Sequence, residues 1–377
     1  MKRTPIFVLI LCSCAVSWGQ ELAVRCCNDW AEFHRTSMER RNLLENDLSV
    51  NSVGHLKLKW NYRTSSYGNN AVYSSPAMTG GVVYVGSNDG NVYALNARTG
   101  AKRWNYATNG AVKSSPAVAN GVVYVGSFDY SVYALNLHTG AKLWSYATGS
   151  YVDSSPTVAN GVVYVGSVDG NLYALNASTG VKLWSYTTGQ GVHSSPAVAK
   201  GVVYVGSFDN SVYALNAANG AKLWSYATGG PIFSSPAVAS GVVYVGSTDR
   251  SVYALNASTG AMLWSYATGY DVASSPAVAN GAVYIGSYDK NVYALNADTG
   301  AKLWSYATDF VNSSPAVANG VVYVGSDEGN LYALNASTGA ELWSYQAGSS
   351  VQSSPAVANG VVYVGSDDGN IYAFGLK

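Results

Sequence analysis

The sequence predicts an all-β chain folded as an eight-bladed β-propeller, with four antiparallel strands per blade and an N-terminal strand completing the last blade. Three observations predict it. Ser-Ser-Pro recurs eight times, at 74–76, 114–116, 154–156, 194–196, 234–236, 274–276, 313–315 and 353–355, a spacing of 40 residues with one step of 39. Each period holds four short apolar runs, which is the arithmetic of a propeller blade. The two ends of the array are complementary: the last unit stops one strand short, and a spare strand precedes the first.

One unit, Ser114 to Thr148, shows the elements in order. Strand A is read as Ser-Ser-Pro-Ala-Val-Ala and strand B as Gly-Val-Val-Tyr-Val-Gly-Ser. Strand C is Val-Tyr-Ala-Leu-Asn, and strand D is Lys-Leu-Trp-Ser-Tyr-Ala-Thr. Tyr and Val favour strand, and Asn-Gly, Asp-Gly and Thr-Gly punctuate as turns. The last unit ends on a C strand, Ile371-Tyr372-Ala373-Phe374. The spare D strand is Leu58-Lys59-Trp60-Asn61-Tyr62. An open array has no use for that pair, whereas a ring removes two exposed edges by joining them. One strand-D tryptophan per blade follows: Trp60, Trp104, Trp144, Trp184, Trp224, Trp264, Trp304 and Trp343. Strands B, C and D each carry one Tyr per blade, which accounts for 24 of the 30 tyrosines. These rings are expected to pack neighbouring sheets together without metal or disulfide.

The balance of 21 Lys+Arg against 21 Asp+Glu argues against nucleic acid as a partner, because counterion release needs a basic surplus. An apolar fraction of 48% is that of a folded chain. Residues 1–19 read as a signal peptide: Lys2 and Arg3, then the apolar run Ile6–Leu11, then small residues up to Gly19. The run is too short to span a bilayer. A lipobox reading of Leu11-Cys12-Ser13-Cys14 is the alternative, with membrane attachment through a lipidated Cys14. Either way the expected location is extracytoplasmic: periplasmic, secreted or lipid-anchored. Residues 20–55 form an N-terminal lead-in and 56–377 the propeller. Cys26 and Cys27 are adjacent, so they close a vicinal ring, pair between chains or stay reduced.

The units are near copies, so their differences carry information. With strand A at the channel and strand D at the rim, D-to-A and B-to-C connections share one face. Variation concentrates there. The D-to-A connections supply Tyr73, Lys113, Tyr151, Asp153, His193, Phe233, Tyr270, Phe310, Asn312 and Gln352. The B-to-C turns supply Phe128, Tyr130, Phe208, Arg250, Tyr288 and Lys290. The six tyrosines outside the core pattern, Tyr67 among them, all fall in these connections. Aromatic residues around a channel mouth suit a binding surface.

The recurring turn acids, Asp89 and its seven counterparts, are read as hairpin-turn chemistry, an Asp bonding its own backbone. His193 with Asp153 one blade away has the makings of an acid/base pair, but no nucleophile accompanies it. His34, His55, His138 and His193 have no zinc-ligand spacing.

Ala94–Trp104 reads Ala-Leu-Asn-Ala-Arg-Thr-Gly-Ala-Lys-Arg-Trp. It resembles the tryptophan-docking motif of the eight-bladed quinoprotein dehydrogenases, Ala-x-Asp-x-x-Thr-Gly-x-x-x-Trp, with Asn96 in place of Asp. The pattern recurs at Ala134–Trp144, Ala174–Trp184, Ala254–Trp264, Ala294–Trp304 and Ala333–Trp343, and Asn219 replaces Thr in the unit ending at Trp224. The resemblance covers 57–377, and Asp29–His34 resembles the lead-in of PQQ-binding-like propellers. It implies the fold, and it raises PQQ with calcium as a cofactor. The family places its vicinal disulfide inside the propeller, whereas Cys26-Cys27 precedes it, and the family's calcium ligands and long insertions have no counterpart here. A propeller lipoprotein of outer-membrane barrel assembly is a non-enzymatic relative. The expected function is therefore an exported, non-catalytic binding or scaffold protein, without a cofactor, whose partner is a protein or polymer of the envelope or extracellular space. A PQQ/calcium-dependent dehydrogenase and a structural envelope protein without a discrete site are the alternatives.

Overall fold

A computed structural model of the chain describes residues 29–34, 38–65 and 70–376. The signal-peptide reading, Cys14, Cys26, Cys27 and Tyr67 lie outside them. The strands form eight sheets, each with its blade strands in the order A-B-C-D, and the seventh carries one further short strand beside A. In the first blade these are Ala77–Thr79, Val82–Gly86, Asn91–Asn96 and Lys102–Ala107. Strand A is shorter than the sequence suggests. Ser-Ser-Pro lies outside the ladder, because Pro has no N–H to give it and the serines bond to neighbouring blades instead. The eighth blade takes A, B and C from Ala356–Ala358, Val361–Gly365 and Asn370–Gly375, and its D strand is Lys57–Arg63. Trp60 pairs with Ala373 and Tyr62 with Ile371, so the ring closes as the two chain ends predict.

Each D strand carries a bulge just before its tryptophan: in the third blade Ala174 faces Trp184, while Leu175 faces Lys182. The skipped residue, Leu183 here, turns out to solvent. The tryptophan turns toward the next blade. Trp104 Nε1 donates to the Leu137 carbonyl at 3.0 Å, and Tyr84 Oη donates to the same oxygen at 3.3 Å. The ring lies against Gly140, whose φ is +71° and where a Cβ would sit 2.6 Å from the indole. Seven of the eight tryptophans dock in this way, on a glycine of the next Thr-Gly or Asn-Gly turn. Trp343 departs from the expectation. The blade after it has no C-to-D turn, its C and D strands coming from opposite ends of the chain. Trp343 Nε1 bonds the Leu56 carbonyl at 3.1 Å instead, and its ring meets Phe374 edge-on at 5.2 Å.

At the channel, the second serine of each Ser-Ser-Pro donates its amide to the hydroxyl of the next. Ser75 bonds Ser115 at 2.9 Å, Ser115 bonds Ser155 at 2.9 Å, and so on round the ring. Ser354 closes the circle on Ser75 at 3.0 Å.

The lead-in is not a free tail. It runs round the inside of the channel past successive A strands. Trp30 exchanges backbone bonds with Met78 of blade one, and the Ala31 carbonyl accepts from Val118 of blade two. His34 Nε2 reaches the Ser195 carbonyl of blade four at 3.4 Å. Met38, Glu39 and Arg40 offer carbonyls to Val238, Val278 and Val317 of blades five to seven. Arg41–Asn42 pairs parallel with the seventh A strand, and the Asn42 amide bonds Val357 of the eighth. The inner edge of the ring, open in a bare propeller, is thus largely paired.

Candidate binding face

The D-to-A and B-to-C connections do share a face. Val112 of the first D-to-A connection donates to Ser87 beside the first B-to-C turn, and Phe128 of the next turn donates back to Ala111. The turn acids fix this geometry. Asp169 Oδ1 accepts the Asn171 amide at 2.9 Å, while its Oδ2 takes the Tyr173 hydroxyl at 2.8 Å and the Gly149 amide of the preceding connection at 2.7 Å. They serve the turn backbone, as Asp in tight turns does, and also anchor the strand-C tyrosine of the same blade.

On that frame all sixteen predicted residues find a partner within the set, in three groups. Over blades one to three, the Lys113 ammonium lies 5.0 Å from the Tyr73 ring and 4.8 Å from Phe128, and Tyr151 packs between Phe128 and Tyr130. Over blades three to five, His193 Nδ1 lies 2.8 Å from Asp153 Oδ2. The imidazole stacks on Phe208 at 4.0 Å, with Phe233 edge-on to Phe208 at 4.3 Å. Among the described residues no nucleophile is hydrogen-bonded to that histidine, so the pair orients itself within an aromatic sandwich. Over blades five to eight, Arg250 lies over Tyr270, Lys290 lies over Phe310, Tyr288 meets Phe310 edge-on, and the Asn312 amide donates to Gln352 at 3.1 Å.

Left-handed backbone occurs in the turns of both faces, at the A-to-B turns (Asn120, Lys200 and Ser240 among them) as well as at the B-to-C turns. Four blades place Gly at the third B-to-C position, Gly90, Gly170, Gly329 and Gly369, all with positive φ. The other four place Tyr130, Asn210, Arg250 and Lys290 there, with φ between +70° and +73°. A non-glycine residue in that region is strained by about 1–2 kcal/mol, so three bulky side chains sit on the face against local preference.

Sequence reasoning left three acids out of the set. Asp327 and Asp367 occupy B-to-C turns in the last two blades, and the signal was available: only these turns carry two consecutive acids, Asp327-Glu328 and Asp367-Asp368. Burial raises the carboxyl of Asp327, and Asp309 adds to it. Burial, then Asp327 and Asp368, push Asp367 up to about 6 against the pull of Lys113. Asp309 itself pairs with Lys290 at 2.9 Å. The mouth is acidic on this side.

Behind the mouth the channel holds the lead-in. Arg40 is completely buried, with its guanidinium on the carbonyls of Phe33, Ser314, Pro315 and Pro355 and stacked 4.3 Å from the Phe33 ring. Burial lowers it to about 9. Burial likewise raises Glu32 to about 8 and, with Arg40 adding repulsion, lowers His34 to about 3. Among the described residues no group of three or more His, Cys, Asp or Glu is placed to hold a metal ion, and no helix is long and apolar enough to cross a membrane.

Two family models match the chain. One, described as the beta-propeller of the beta-alanine-activating enzyme, matches residues 54–242, just over half of it. The other, described as outer membrane protein assembly factor BamB, matches 227–310 and 308–377. Among solved structures, BamB from Moraxella catarrhalis superposes with a TM-score of 0.74 at 20% identity, over 85% of this chain and 99% of that one. A europium-containing methanol dehydrogenase superposes with a TM-score of 0.81 at 15% identity, over 92% and 98%. The dehydrogenase subunit of a quinone alcohol dehydrogenase from Gluconobacter oxydans (strain 621H) is 32% identical over 78 residues, 21% of this chain and only 10% of that protein. The structural likenesses carry the fold and not an activity.

Proposed function

The chain belongs to the family described as the beta-propeller of the beta-alanine-activating enzyme, in the PQQ-like eight-bladed form, and on that premise we propose that it is an exported, non-catalytic binding protein. Its partner is a protein or polymer of the envelope or extracellular space, taken on the D-to-A and B-to-C loop face. One observation carries this reading. The aromatic residues that break the repeat, Tyr130 at a positive φ among them, gather on the D-to-A and B-to-C loops around the channel mouth. The channel behind that mouth is occupied by the chain's own Arg40. Recognition therefore happens across a surface, with rings as the anchors. The match to an outer membrane protein assembly factor supports an extracytoplasmic site of action. The test is capture from the native envelope. A combined Tyr130→Ser, Tyr288→Ser and Phe233→Ser protein should keep its far-UV spectrum and its denaturation midpoint and lose its partners. Retention of the same partners would overturn the reading.

The likeness to quinone-dependent alcohol dehydrogenases favours a second reading, a PQQ- and calcium-dependent enzyme. The residues at the mouth do not fit the cofactor. A tricarboxylate there would face Asp153, Asp327 and Asp367, two of them in surroundings that already oppose ionisation. Its cationic candidates, Lys113, Arg250 and Lys290, are engaged with aromatic rings, and Lys290 with Asp309 as well. Incubation with PQQ and calcium, followed by dye reduction over alcohols and sugars, should give no turnover.

A further inference from the structure

We propose that the pocket formed by Tyr270, Tyr288, Phe310 and Asp327 is a receptor for the primary ammonium group of a lysine side chain on the partner protein. The inference rests on the binding-face reading above and names the chemistry that one part of the face recognises.

The four residues line one open cavity of about 450 Å³, which is within the range of ligand pockets. They come from two consecutive blade seams, and backbone bonds hold them in place. Tyr288 donates its amide to the Asp271 carbonyl at 2.9 Å, and Asp327 donates to the Phe310 carbonyl at 2.9 Å. Tyr288 and Phe310 stand edge to face, 6.0 Å apart at 75°. Tyr270 and Phe310 remain 50% and 41% exposed, so the rim is open. An aromatic enclosure of this kind attracts cations through the ring quadrupoles. The surrounding side chains already show the preference: Arg250 sits 5.8 Å from the Tyr270 ring and Lys290 4.7 Å from Phe310.

Charge settles the sign of the ligand. Burial raises the Tyr288 phenol, and Asp327 and then Asp271 add to it; burial likewise raises Asp327, and Asp309 adds to that. Lys290 neutralises Asp309 alone. An anion is repelled from this pocket. The carboxylate oxygen Oδ1 of Asp327 settles the type of cation. It is buried and has no hydrogen-bond partner, an arrangement that costs free energy until a donor arrives. A quaternary ammonium satisfies the rings but brings no N–H. A primary ammonium on an alkyl stem satisfies both, its methylenes against the rings and an N–H on Asp327.

Three small probes separate these terms: butylammonium, tetramethylammonium and butanol, titrated into the full chain and followed by aromatic side-chain resonances. Butylammonium should bind best and shift the resonances of Tyr270, Tyr288 and Phe310. Tetramethylammonium and butanol should each bind several-fold more weakly. Asp327→Asn should weaken butylammonium by about tenfold or more, the worth of one charged hydrogen bond, with the near-UV spectrum unchanged. Phe310→Leu, which keeps the bulk and removes the quadrupole, should weaken both ammonium ions. Equal binding of the three probes, or an Asn variant that binds butylammonium like the parent, overturns the inference. The partner separates this from the wider reading. If capture is lost in the triple aromatic variant but survives both Asp327→Asn and competition with butylammonium, the face still binds and the lysine assignment falls.

Discussion

The amide of Ser354 donates to the hydroxyl of Ser75 at 3.0 Å, joining residues 279 positions apart and completing a circle of eight such bonds. The bond at the seam has the length of those within the array, so the join between first and last blades is as regular as any other.

Ser75→Ala and Ser235→Ala are therefore expected to cost the same. Each leaves one buried amide, that of Ser354 or Ser195, without its acceptor, worth about 1–3 kcal/mol. Urea midpoints of the two variants should agree. A Ser75→Ala protein as stable as the parent would show that the circle is open at the seam.

Two glycines with similar backbone angles should respond differently to alanine. Gly121 has a φ of +79° and open space where a Cβ would go, so Gly121→Ala should cost only the left-handed penalty, about 1–2 kcal/mol. Gly140 has a φ of +71° and the Trp104 indole 2.6 Å from that point. Gly140→Ala should add an overpacking cost of about 1–3 kcal/mol and change the tryptophan fluorescence, which Gly121→Ala should leave alone.

Replacing a strained loop residue should gain stability. Arg250→Gly removes a side chain held at a φ of +73° and loses one exposed contact with Tyr270. The net expectation is a gain of up to about 1 kcal/mol, read as a higher denaturation midpoint. A clear loss of stability would mean that the arginine supports the fold.

The buried Glu32 should make stability depend on pH. Its carboxyl titrates at about 8 in the folded chain against an ordinary value of 4.5. Between those values the unfolded chain has lost the proton that the folded chain keeps, so stability falls as pH rises. His34 works in the opposite direction, since its folded value of about 3 lies below 6.5, but it has finished contributing above pH 6.5. From pH 6.5 to 8 the Glu32 effect stands clear, at up to about 1.4 kcal/mol per pH unit. Glu32→Gln should flatten that interval in denaturant titrations, and an equal slope in both proteins would refute the assignment.

Much of this architecture was legible in the sequence because a repeat writes each contact eight times. The Ser-Ser-Pro spacing and the docking tryptophans set the blade count, and the spare strand at Trp60 set the closure. The loop face was legible for the complementary reason: near-identical units make a lone His193 or Phe233 conspicuous, and equal positions in adjacent blades become neighbours, as His193 and Asp153 do. The path of the lead-in was not legible. Arg40 meets Pro315, 275 residues away, through a carbonyl that every blade possesses, so nothing in residue type marks the pairing. The different seat of Trp343 follows from the missing turn in the last blade, which the reading of all eight tryptophans as alike passed over. Asp327 escaped because a turn acid looks ordinary until its oxygen is found buried beside three rings.

The eighth blade also imposes an order of events. Ribosomes deliver Lys57–Arg63 early and Asn370–Gly375 more than three hundred residues later. Throughout that interval the strand travels without its ladder partner, together with a lead-in that has only part of its circuit to rest on, although Trp60 has its seat at Ala97 and Gly100 of the first blade. A nascent chain of this protein thus carries a strand with unpaired backbone waiting for its counterpart, and a folding helper or a protease would find it there.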